Sequence, residues 1–122
     1  MSDSTFIKKG YSHILVQAVV PNVPTKIYTA QGPTTHITTF TVCNLLWAPW
    51  TLSLGIALNG DAINQNKQFI YKDVIFSNNN TLGTDLEICL KAWDSIFVSA
   101  GLANNFAITI SGSDEAYNGV NI

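Results

Sequence analysis

The sequence predicts an all-β fold, an antiparallel β-sandwich or barrel, on three observations. Apolar, β-branched runs recur about every ten residues, separated by loops rich in Gly, Pro and Asn, the spacing of short strands in two-layer or closed sheets. The clearest runs alternate with period two, so that one face enters a core. No 11-residue window shows a helical stripe. At 122 residues the chain is one domain, and a domain near this size hides roughly two-thirds of the surface of its unfolded chain. It can build a core without metal or disulfide.

The elements follow in order. Met1 to Gly10 is polar apart from Phe6-Ile7 and reads as an N-terminal arm over residues 1–10. Tyr11 to Val20 is a first strand, ended by Pro21-Asn22-Val23-Pro24 because two prolines remove ladder donors. Lys26 to Ala30 is a short second strand closed by Gln31-Gly32-Pro33. The centre of the fold is Thr34 to Leu58, two apolar runs around the break Asn44-Leu45-Leu46-Trp47-Ala48-Pro49. In Thr51 to Leu58 the residues Leu52, Leu54, Ile56 and Leu58 share one face and Thr51, Ser53, Gly55 and Ala57 the other. Thr35 to Cys43 is expected to be apolar on both faces, with Phe40 and Val42 on one and Ile37 and Cys43 on the opposite one.

Asn59-Gly60 is a hairpin-type turn signal, and Asp61 to Asn66 reads as a polar connection. Gln68 to Ser77 is a strand, and Asn78-Asn79-Asn80 a turn. In Thr81 to Lys91 the residues Leu82, Thr84, Leu86, Ile88 and Leu90 alternate against Gly83, Asp85, Glu87 and Lys91, a separation no helix achieves. Asp94-Ser95 turns the chain into Ile96 to Ala100, and Phe106 to Ser111 is the last strand. The sandwich domain therefore spans residues 11–112. Residues 113–122, including Tyr117, have no period and read as a C-terminal arm.

Only 11 % of residues are charged, against ~25 % in ordinary globular domains. So sparse a surface is more comfortable covered than bare. The six basic residues are all Lys, and eight carboxylates leave a net charge of −2. Nucleic acid is not an expected partner, since its readout leans on clustered Arg and Lys. Neither is a membrane, because no apolar run reaches the ~18 to 20 residues of a span. The start of the chain carries an acid where a signal peptide carries positive charge, so the expectation is a protein made and kept in a cytoplasm. Cys43 and Cys89 lie in strand-like runs and read as free buried thiols; a disulfide between neighbouring strands is the alternative.

Catalytic constellations are missing from the sequence: there is no HExxH, GxSxG, CxxC or phosphate-cradling glycine loop. His13 and His36 read as structural or solvent-facing, and Asp85 and Glu87 as a solvated strand face. Asp61, Asp73 and Asp94 sit near turns, where a carboxylate bonds backbone amides locally. A calcium site lacks its DxDxDG pattern. The expectation is a non-enzyme with no cofactor and no metal. Trp47 and Trp50, bracketing Pro49 and preceded by Leu45 and Leu46, stand out instead. Such bulk at a sandwich corner closes over its own core, anchors another subunit, or stacks on carbohydrate.

Several segments also follow a known pattern. Thr41-Val42-Cys43-Asn44, then Leu90-Lys91-Ala92-Trp93-Asp94-Ser95-Ile96-Phe97-Val98, then Ala107-Ile108-Thr109-Ile110-Ser111-Gly112, preceded by Lys26-Ile27-Tyr28-Thr29-Ala30, resemble a widespread family of small bacteriophage virion proteins. In that family a "vcN" strand end precedes "LeaGDsI" and "isGsE" segments. The resemblance covers about residues 14 to 115 and implies a jelly-roll-like sandwich with extended arms in a non-enzymatic particle component. Capsid decoration (cement) proteins, tail or neck accessories and fibre-base proteins all use such sandwiches. The cement reading implies a virion location after assembly in the host cytoplasm. Its partners would be its own copies, as a homo-oligomer, expected to be a trimer, and the major capsid protein or other virion proteins. Trp93 stands where the family has Gly. Because a Trp does not freely take the left-handed backbone, a different turn or a subunit contact is expected there. The interface candidates are therefore Phe6, Ile7, Leu45, Leu46, Trp47, Trp50, Trp93 and Tyr117.

Overall fold

A computed structural model of the chain describes residues 13–77 and 81–114, with side chains described outside 81–86. Most of the two arms, with Phe6, Ile7 and Tyr117, and the Asn78-Asn79-Asn80 turn lie outside the described residues. The strands are β1 (His13–Val19), β2 (Thr25–Thr29), β3 (Thr34–Asn44), β4 (Trp50–Ala57), β5 (Phe69–Phe76), β6 (Thr81–Lys91), β7 (Ser95–Ala100) and β8 (Phe106–Asp114). They form two four-stranded antiparallel sheets, ordered β1-β8-β3-β6 and β2-β7-β4-β5. The fold is a β-sandwich. Strand partners run β1 with β8, β2 with β7, β3 with β6 and β4 with β5, as if one long hairpin had been rolled up. The core between the sheets is built from Phe40, Val42, Leu52, Leu54, Val98, Phe106, Ile108 and Ile110, all nearly inaccessible.

Details in three regions differ from the sequence expectation. Ile37 lies in the core beside Phe40 and Val42, not opposite them. The cause is a bulge at Thr38-Thr39: three steps along β3 from Ile37 to Phe40 face only two along β8, from Gly112 to Ile110. The extra residue returns Ile37 to the inner face. The bulge also presses β3 onto β8, so that a Cβ at Gly112 would lie 2.0 Å from the His36 carbonyl oxygen. Strand β8 continues to Asp114 because Gly112 to Asp114 are paired with Thr35 to Ile37, so its last two residues are strand, not arm.

The second difference is the outer face of β4, which is not solvent-facing. Phe97 of β7 points away from the main core yet is only 1 % exposed. Its ring crosses the bare backbone of Gly55, where a Cβ would meet it at 2.4 Å, and meets Phe69 edge-on at 5.5 Å. The end of the Leu58–Gln68 connection reaches this small second core, the Gln68 carbonyl lying 3.0 Å from where a Cβ on Gly55 would stand. Buried Gln68 fastens it by donating to the Ala62 carbonyl at 2.7 Å and accepting from the Gln65 N–H at 2.9 Å. Leu58, expected on the core face, instead falls beyond the end of β4 and is exposed.

Third, Cys89 is exposed and Cys43 only half-buried, and the two form no disulfide. Cys43 is opposite Thr81 and Cys89 opposite His36. The seven positions between His36 and Cys43 amount to about 23 Å of strand, beyond the reach of a disulfide.

Candidate interaction surface

The rolled pairing gathers the connections into two groups. At one end lie Val20 to Pro24, Leu45 to Pro49 and Gly101 to Asn105, tied together by backbone bonds from Leu45 N–H to Asn105 O (2.8 Å), Ala100 N–H to Pro21 O (2.9 Å) and Asn104 N–H to Val20 O (3.0 Å). At the other lie the Ala30 to Pro33, Leu58 to Gln68 and Ala92 to Asp94 connections, together with the first and last described residues, His13 and Asp114.

Asn44 shapes the first end. It is wholly buried at the close of β3, and its Nδ2 donates to the carbonyls of Ala48 (3.0 Å), Phe76 (3.2 Å) and Ser77 (3.0 Å). Its Oδ1 accepts from the Leu46 N–H (3.0 Å) and from Asn105 Nδ2 (3.4 Å). Among short side chains only the amide combines two N–H donors with a carbonyl acceptor, which gives the terminal Asn of the Thr41–Asn44 motif its physical role. Asn105 Oδ1 is enclosed without a partner, the one such side-chain atom found among the described residues.

With its backbone so held, the β3–β4 corner cannot fold its apolar side chains inward. Trp47 is 79 % exposed, and Leu45 and Leu46 are exposed beside it. Val23 and Leu102 join them from the neighbouring loops, and Val19 and Ile75 from the adjoining strand ends. Seven of the twelve large apolar residues exposed in the described chain therefore sit at this end. None of its described connections carries a charge, and neither does Ser77 to Asn80 in the sequence. Trp50 behaves differently: it begins β4, is half-buried and packs against the core. The two indoles are thus unequally exposed, Trp47 open and Trp50 partly engaged with the core.

Trp93 belongs to the opposite end, about 35 Å away along the 11 residues of β3. The turn keeps its left-handed backbone with a Trp in it, φ 72°, contrary to the expectation from its side chain. Asp94 imposes this: its carboxylate accepts from the Lys91 and Asn59 N–H groups, both at 2.9 Å, while the Trp93 N–H donates to Ala30 O at 2.6 Å. The indole is half-exposed. The sequence-predicted interface residues are therefore split: Leu45, Leu46 and Trp47 stand together, and Trp93 does not join them. Val23 and Leu102 escaped sequence reading because each is a lone apolar residue in a turn.

Concave features offer little. A cleft of ≈ 240 Å³ opens where β6 spends three residues against two of β3, lined by His36, Ile37, Thr38, Glu87, Ile88 and Cys89. No group of three or more His, Cys, Asp or Glu able to hold a metal occurs among the described residues. A void between the sheets measures ≈ 10 Å³, at the lower limit of what a single water requires, and its lining is wholly apolar. Among the described residues no helix is long and apolar enough to cross a membrane.

Fold and surface together define a β-sandwich that presents a rigid, apolar, uncharged loop end. No family model matches the chain, and no curated protein matches it.

Proposed function

We propose that the protein is a non-enzymatic structural component of a bacteriophage virion. Its most specific role would be a capsid decoration protein that seats between major capsid subunits, as a small homo-oligomer such as a trimer, and stabilises the head. The observation that carries the reading is the rigid uncharged end around Trp47. Apolar side chains held out in water by a buried Asn clamp form a surface suited to being covered on assembly. The architecture supports the reading too: eight strands in a double sheet, paired β1–β8, β2–β7, β3–β6 and β4–β5, suit the jelly-roll-like sandwich that the resemblance implies. The sequence resemblance points the same way. The test is addition of purified protein to expanded heads that lack it. Binding with a gain in head heat resistance is expected; failure to bind refutes the role. A tail or neck accessory is the neighbouring alternative. Hundreds of copies per particle by gel densitometry indicate decoration, a dozen or fewer the tail.

A further inference from the structure

The candidate interface residues lie at two ends of the sandwich, and only one end is free of charge. We infer that the end formed by Val23, Leu45, Leu46, Trp47 and Leu102 is the face that docks on the particle, and that it enters an uncharged apolar recess of a shell protein. This rests on the virion reading above.

Two observations select that occupant. The first is charge matching. Every Lys, Asp and Glu of the described chain lies on the strands or at the opposite end, so a charged group of a partner buried here would find no counter-charge, and such unpaired burial is heavily penalised. The fitting surface is uncharged. The second is shape and rigidity. The apolar side chains project from loops instead of lining a groove, with Trp47 79 % exposed, so they act as a plug needing a recess. Two such plugs from copies of this chain would meet convex to convex. The Asn44 bonds to Leu46, Ala48, Phe76 and Ser77 fix the corner before contact, so little entropy is lost on docking. A lipid surface fits less well, because the end lacks the Lys and Arg that hold apolar loops to anionic membranes.

The experiment measures binding of the full chain to heads lacking it, at about 50 and 500 mM NaCl, together with sedimentation of the free protein and co-pelleting with phosphatidylcholine vesicles. For the wild type, affinity should change less than about twofold with salt, since no ion pair forms at the contact. Trp47→Asp should weaken binding about thirtyfold or more, with Leu46→Lys as a second variant and thermal melts confirming that both fold. Leu58→Asp, the same kind of exchange at the opposite end, should bind as wild type. Full binding by Trp47→Asp and Leu46→Lys, or a tenfold loss with salt, overturns the inference while leaving the virion reading intact. Self-association or vesicle binding abolished by Trp47→Asp would assign the end to a second copy or to lipid and likewise overturn it. A wild type that does not bind heads removes both.

Discussion

Single residues set the local chemistry, and two of them make sharp tests. Trp93 holds a left-handed backbone that costs an L-residue about 1–2 kcal/mol. Trp93→Gly should therefore raise stability by about 0.5–1 kcal/mol, after allowing for the freer unfolded chain, as read by urea denaturation. A loss instead would show that the half-exposed indole is anchored. Tyr28 is half-buried, and burial raises its pKa above the ordinary 10.0, with the Thr35 hydrogen bond opposing this. A raised folded pKa means that the native state retains the proton longer than the unfolded chain does. Its contribution is thus complete below about pH 10 and declines as pH climbs through the folded value. Melting temperatures between pH 8 and 11 should fall on the alkaline side, and less steeply in Tyr28→Phe. Asn44→Asp would turn a carboxylate toward three carbonyls and should cost about 3 kcal/mol or more. A smaller cost would mean that the clamp re-forms through water.

Strands and their bulges explain what could and could not be read in advance. Period-two alternation located Leu52, Leu54 and Ile56, and turn residues located nearly every strand boundary, because these signals are local. The bulge at Thr38-Thr39 was illegible, since an inserted residue leaves the composition of β3 unchanged and shifts only its phase. Its trace was Gly112, which sequence reading placed in a motif without a reason. Gly112→Ala should destabilise by about 2–4 kcal/mol, because its Cβ meets backbone of the neighbouring strand instead of a movable side chain. The cover over Phe97 was hidden similarly: Gly55 looked like a small outward residue, whereas it is the floor of an aromatic contact made by a strand 40 positions further on.

At the scale of the whole molecule, the loop end illustrates the division between stability and surface. Trp47→Ser should leave stability within about 0.5 kcal/mol, while Trp50→Ala, three positions away, should cost about 2–3 kcal/mol as its core contacts vanish. Equal losses at both would mean that Trp47 is part of the core. Adjacency in sequence had grouped these two indoles, and chain topology separates them. It also separates Trp93 from Trp47 and brings Val23 and Leu102 alongside, relations that no local pattern contains.

The rolled pairing has a consequence in time as well as in space. His13 finds its partner in Gly112, at almost the opposite extremity of the described chain, and β2 must wait for β7. Only β4 and β5 are neighbours both in sequence and in their sheet. A ribosome emitting this chain releases β1 long before anything can pair with it. Closure of the two sheets therefore waits until β7 and β8 have been made. Folding dominated by such distant pairings is expected on the millisecond-to-second scale, with β1 left unpaired until β8 emerges.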